Sequence, residues 1–330
     1  MEGLSISFPI NYEGRKIYSY LAKETNPDPE EAAKAEKELA WRGAMAESIR
    51  TIASNFSDGR LRELVDQHPF DSLELPNLCI VPVSEFSTDA FHNMLSRLQS
   101  FHLSLLGNIS EITLNIHNVF NGFSDCLGPW FLNHLSSVEK LVLEPGSAAP
   151  LGRAGQEFGQ NISLRDARMP NLAEMEFQNL FICEELVDFF VRHADTLESV
   201  TLEHCYAFDS STTCWKDLFA ALVKASPSRL TTFCIIEICD KHDRLNLDNQ
   251  HEQSDPDSLA RVRAKLESEP DAIAFPYGYT YYDDRDVYED YSVNQARFLQ
   301  GDDCRAYREL RAIIDANSRA CESDQDGHGD

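Results

Sequence analysis

Apolar positions along this chain recur in one short pattern: apolar, two residues, apolar, one residue, apolar. It stands at Leu75, Leu78 and Ile80, at Leu98, Phe101 and Leu103, and at Ile109, Ile112 and Leu114. It returns at Val138, Leu141 and Leu143, at Leu172, Met175 and Phe177, at Leu197, Val200 and Leu202, and at Leu230, Phe233 and Ile235. The last two apolar positions of each copy are two apart. On a strand they share one face, and the residue between them points away. First positions are separated by 23, 11, 29, 34, 25 and 33 residues. All but the 11-residue interval have room for a strand, a return helix and two loops.

Apolar residues at helical spacing fill the long intervals. Phe91, Met94, Leu95 and Leu98 form one such stripe, and Trp130, Phe131, Leu132 and Leu135 another. Leu186, Val187, Phe189, Phe190 and Val191 form a third, and Trp215, Leu218, Phe219, Leu222 and Val223 a fourth. Strands alternating with helices at one handedness give a parallel sheet. At this repeat length the sheet bends into a solenoid. The expected fold is α/β: a leucine-rich-repeat-like solenoid, a curved, mostly parallel sheet with outer helices and irregular repeats. An ordinary non-repeating α/β domain is the alternative. A parallel crossover needs about a dozen residues or more. At the 11-residue interval, therefore, either the Leu98 or the Ile109 copy is spurious, or the pair forms an antiparallel irregularity.

The two ends read differently from this array over residues 73–240. Residues 1–72 hold a strand (Leu4, Ile6 and Phe8 alternate) and a long helix over Glu30–Ser54 with Leu39, Met45, Ile49 and Ile52 on one stripe. This is a cap or an irregular first repeat, its helix either an outer helix of that repeat or a docking helix for another chain. Residues 241–330 begin with a polar loop, Lys241–Asp257, and a short helix, Ser258–Ser268. An acidic, Tyr-rich segment over Phe275–Tyr291 follows, then a capping helix over Gln295–Arg319. Residues 322–330 are expected to be disordered.

Charge changes the list of partners. The chain has 29 basic and 55 acidic residues, a formal charge of −26. That field opposes phosphate backbones and anionic lipid, so neither nucleic acid nor a membrane surface is expected as a partner. No run of about 18 uninterrupted apolar residues is present. The first residues alternate without a basic region, unlike a secretory signal. Nine cysteines lie mostly in apolar runs, which fits reduced thiols and a cytoplasmic or nuclear location. The Asn-x-Ser sequons at Asn55, Asn108 and Asn161 are read as chance matches.

Motifs that carry chemistry are missing. The sequence contains no Gly-x-Gly-x-x-Gly, no Gly-Lys-Ser/Thr, no Gly-x-Ser-x-Gly, no Cys-x-x-Cys and no His-x-x-x-His. His204, Cys205 and His242 could be imagined as metal ligands, but Cys205 falls three after Leu202, where a leucine-rich pattern places an inward Asn or Cys. Asp283, Asp284, Asp286, Glu289 and Asp290 lack the spacing and central Gly of a calcium loop. No catalytic, cofactor-binding or metal-binding residue is expected, and no cofactor. The expected function is protein binding by a non-enzymatic solenoid. Its candidate face is the outward row Glu111, Thr113, Asn115, Lys140, Glu144, Glu174, Glu176, Ser199, Thr201 and Glu203. Five carboxylates against one lysine call for a protein partner that is basic or rich in donors. Oligomeric state and partner identity are left open.

From Leu98 to about Ile235 the chain resembles the leucine-rich-repeat region of F-box-type proteins from filamentous fungi. The residues that carry the likeness include Met169–Phe177, Phe181–Phe190, His193–Tyr206 and Trp215–Phe219. The resemblance implies a substrate-recognition subunit of a cullin-type ubiquitin ligase as an alternative function. Such proteins open on a helical module beginning Leu-Pro, and no such segment is visible, so the module would be missing or lost. An enzyme of unrecognised type is a further alternative; a buried pocket joining a titratable pair with shifted acidities would mark it.

Overall fold

The computed structural model describes residues 4–5, 33, 37, 40–57, 72–78, 83–105, 127–145, 151–152, 162–208, 213–236, 241–248, 255–280 and 287–326. The chain is α/β and divides into two compact units, Met1–Leu172 and Ala173–Asp330. The division falls inside the stretch expected as one array.

Among the described residues of the first unit four strands run parallel. They are β1 (Leu4–Ser5), β2 (Ser72–Leu78), β3 (Ser100–Leu105) and β4 (Lys140–Glu144), each paired with the next. One buried row joins Leu73, Phe101 and Leu141, and the next joins Leu75, Leu103 and Leu143. One expectation changes here. The strand at 72–78 turns Leu73 and Leu75 inward, so the copy begun at Leu75 is five residues out of step. The in-register copy starts at Phe70, which has the same spacing to Leu73 and Leu75. β3 and β4 are direct neighbours; the copy at 109–114 falls outside the described residues.

Helix α1 (Ala40–Ser57) buries Met45, Ala46, Ile49 and Ala53. It packs against the 3-10 turn Ser84–Ser87 and α2 (Asp89–Leu95). Its apolar side is thus covered by the chain itself. Ala33 and Lys37 are helical as well. Thr88 caps α2 by accepting the Phe91 N–H at 3.3 Å, and Phe91, Met94 and Leu95 are buried. Phe91 joins Phe86, Phe131 and Trp130 in an aromatic cluster, with the Phe86 and Phe131 rings 4.9 Å apart.

In the second unit β5 (Glu174–Gln178), β7 (Ser199–Glu203) and β9 (Thr232–Ile235) form a parallel ladder. Met175, Val200 and Phe233 make one buried row, and Phe177, Leu202 and Ile235 the next. Two-residue strands β6 (Phe181–Ile182) and β8 (Tyr206–Ala207) pair alongside. The turns between the two ladders repeat. Asn179 and His204, each two past the last inward residue, both adopt φ 49°. Asn and His tolerate this left-handed geometry better than most residues. Leu180 and Cys205 then turn inward and are buried. The return helices are α3 (Glu184–Arg192) and α4 (Trp215–Ala225). α3 buries Leu186, Val187, Phe189 and Phe190, with acids in its first turn and Arg192 in its last, matching the helix dipole. Val191, counted in that apolar stripe, is instead 40% exposed. In α4 the Cys214 N–H and thiol both donate to the Asp217 carboxylate, closing a capping box.

The C-terminal segment departs from expectation at four places. Lys241–Asp257 is not simply a polar loop. Lys241–Arg244 is a helical turn, and Leu245 and Leu247 are buried in a small core with Leu259, Val262, Ala272, Ala274 and Phe298. α5 starts two residues early, at Pro256 (Pro256–Ser268), because Asp255 caps it and proline suits the first helical position. The last helical stretch is broken: α6 (Tyr291–Gln300) ends at Gly301, with φ 75°, and α7 (Asp302–Asp326) follows. Glu322–Asp326, expected to be disordered, continue α7. Extending a helix already anchored by Leu310 and Ile314 requires no new nucleation. Between α5 and α6, β10 (Gly278–Thr280) and β11 (Val287–Glu289) pair antiparallel.

Candidate protein-binding face

Strand register decides which outward side chains stand together. In the second unit Glu174, Ser199 and Thr232 form one row, and Glu176, Thr201 and Cys234 the next. Gln178 stands beside Glu203, and Ile236, the residue after β9, donates its N–H to the Leu202 carbonyl at 2.9 Å. Five of the ten expected residues are therefore on one grid: Glu174, Glu176, Ser199, Thr201 and Glu203. Glu174 is exposed and the other four are half-buried. Neighbouring strands lie about 4.8 Å apart, and residues two apart on a strand about 6.6 Å. Three carboxylates thus share a patch the width of a short peptide. Toward the β9 edge the grid turns neutral, with Cys234 and the 41% exposed Ile236.

Lys140 and Glu144 are on β4, in the first unit, and both are half-buried. Between them Val142 has the outward parity yet is only 6% exposed, so the polar row on this strand is interrupted. Lys140 is in register with Ser100, and Glu144 with Ser104. His102 Nε2 is 3.0 Å from the Glu144 carboxylate, without the alignment of a hydrogen bond. Glu111, Thr113 and Asn115 lie outside the described residues.

Gln178, Thr232, Cys234 and His102 were missed by sequence reasoning. The signal was available for all four. Cys234 lies between Phe233 and Ile235, and His102 between Phe101 and Leu103, as Thr113, Glu176 and Thr201 lie between theirs; Gln178 follows Phe177 as Glu203 follows Leu202, and Thr232 precedes Phe233 as Ser199 precedes Val200.

Of the residues imagined as ligands, Cys205, His204, Glu289 and Asp290 are in structural use, and Asp283, Asp284 and Asp286 lie outside the described residues. The Cys205 thiol points at the carbonyls of Phe177 (3.6 Å) and Glu203 (3.3 Å), while His204 occupies the left-handed turn. Glu289 pairs with Arg244 and accepts from the Asn294 amide, and Asp290 caps α6 by accepting the N–H groups of Ser292 and Val293. Among the described residues no group of three His, Cys, Asp or Glu side chains is placed to hold a metal ion.

One buried titratable pair does exist. The Tyr277 hydroxyl donates to Asp303 at 2.8 Å, and the other Asp303 oxygen accepts the Lys216 N–H at 3.0 Å. Burial pushes both pKa values up, and for Tyr277 the adjacent carboxylate adds to the effect. Burial also raises the Cys214 thiol nearby. An open cleft of about 520 Å³ is lined by Lys265, Glu269, Gln300, Gly301, Arg305 and Arg308, and neither Tyr277 nor Asp303 lines it. Asp303 caps the start of α4 from another helix, and Trp215 Nε1 donates to the Pro276 carbonyl beside it at 2.8 Å.

No protein-family model matches the chain, and neither a curated protein nor a solved structure is significantly similar to it. Among the described residues no helix is long and apolar enough to cross a membrane.

Proposed function

We propose that this chain is a non-enzymatic solenoid of leucine-rich-repeat character that binds another protein through the outward face of its parallel strands. The supporting observation is the equivalence of consecutive units after β5 and β7. Each has an inward pair on its strand, a left-handed Asn179 or His204, an inward Leu180 or Cys205, a short second strand and an outer helix. A leucine-rich pattern requires such a unit, which cannot cover its apolar flank alone and is completed by its neighbours. The partner is a protein with a basic or donor-rich surface, met in the cytoplasm or nucleus.

Glu174, Glu176 and Glu203 supply the charge of that contact. Steering between opposite charges acts on the association rate and is screened by salt. With a partner captured on the wild-type chain, the triple replacement Glu174→Lys, Glu176→Lys and Glu203→Lys is expected to lower the association rate roughly 10-fold or more at low salt. Surface plasmon resonance at low and high salt measures it. A partner indifferent to both the triple replacement and salt rules this face out.

A further inference from the structure

In the first unit the imidazole rings of His92, on α2, and His134 lie face to face, with centroids 3.5 Å apart and planes 8° from parallel. Each ring is tied to backbone by Nε2. His92 meets the Phe86 carbonyl at 2.9 Å, and His134 meets the Pro129 carbonyl at 2.7 Å. A carbonyl only accepts, so both Nε2 atoms carry the proton and each neutral ring is in a defined tautomer. The remaining Nδ1 lone pairs lie in two parallel planes and do not converge on a single ion, so the pair is not a metal chelate.

We propose that this stack is an acid-sensitive clasp: while the rings are neutral it holds Leu127–His134 against α2, and double protonation releases that segment. The position gives the release a consequence. Trp130 and Phe131, within the held segment, pack on Phe86 and Phe91, so opening bares part of an aromatic cluster. A second positive charge at ring-contact distance in a half-buried site is opposed by Coulomb repulsion that water screens poorly. The charged groups on the packed elements do not cancel it. Asp89, on α2, favours the cation; Glu85, on the 3-10 turn, is committed to Arg50 of α1, which also pairs with Glu47. Burial, then His134, hold His92 below the ordinary histidine value. Because the folded value is lowered, the neutral stack contributes its full stability above the unfolded value of about 6.5. That contribution is lost as pH falls from there through the folded value.

Ring-proton NMR of the full chain, titrated from about pH 8 to about pH 5, should show His92 titrating below the ordinary histidine value. Replacing His134 by Phe keeps a stacked ring and removes one charge, and should raise the His92 value. Over the same range, hydrogen-exchange protection of residues 131–135 should fall several-fold in the wild type and less in His134→Phe. His92→Phe provides the reciprocal test if His134→Phe does not fold. An ordinary His92 titration, or acid-independent protection of that segment in the wild type, overturns the proposal.

Discussion

Replacing Phe219 by Ala is expected to cost about 3–5 kcal/mol, the range for emptying a fully packed aromatic site. Phe219 is fully buried, and its ring stands 5.7 Å from Trp215, 6.1 Å from Phe233, 5.1 Å from Phe275 and 5.2 Å from Tyr307. Those four rings come from α4, from β9, from the segment before β10 and from α7. A single void would therefore loosen the last ladder strand, its return helix and the C-terminal cover together. At roughly 2–4 °C per kcal/mol for a unit of this size, the melting temperature should fall by about 10 °C. Val191→Ala, at an exposed position on α3, should stay within about 0.5 kcal/mol. Scanning calorimetry on the full chain compares the two. Near-equal effects would mean that the C-terminal segment does not close over this end of the ladder.

Asp303→Ala should cost about 3 kcal/mol, because it leaves the buried Tyr277 hydroxyl and the half-buried Lys216 N–H without an acceptor. Asp303→Asn keeps an acceptor oxygen and should cost less. The two replacements also separate packing from charge. Burial raises the folded pKa of Asp303 above its unfolded value, so the folded chain binds this proton more tightly. The contribution of Asp303 to stability is therefore greatest at acid pH. It declines as pH rises through the raised folded value, then levels off. Urea unfolding at several pH values should show the wild type gaining on Asp303→Asn as pH falls. A constant difference would mean that the carboxyl is hydrated and is not buried in the cap.

Much of the ladder was legible because the apolar triad reports strand parity directly. The copies at Val138, Leu172, Leu197 and Leu230 have all three apolar positions buried, as does the copy at Leu98. Register was harder to read. Leu75 belongs to two overlapping triads, one starting at Phe70 and one at Leu75, and only the neighbouring strand chooses between them. Leu245 and Leu247 were hidden in a polar stretch, since two alternating leucines give no period. Gly301 could have signalled the break between α6 and α7, yet the apolar stripe on both sides carries through it. The clasp was out of reach of any spacing rule. His92 and His134 are 42 positions apart, and only folding stacks their rings.

Thr201 and the native Cys234 are register partners on the outward face of β7 and β9, which makes one substitution a direct test of the strand grid. Adjacent strands place their Cα atoms within the range a disulfide or short bis-thiol reagent spans. In Thr201→Cys, mild oxidation followed by peptide mass mapping should find residue 201 joined to Cys234. In Glu174→Cys, two strands away from Cys234, that linkage should be absent. Failure of the first cross-link, or equal yields from both positions, would contradict the parallel ladder on which the proposed binding face stands.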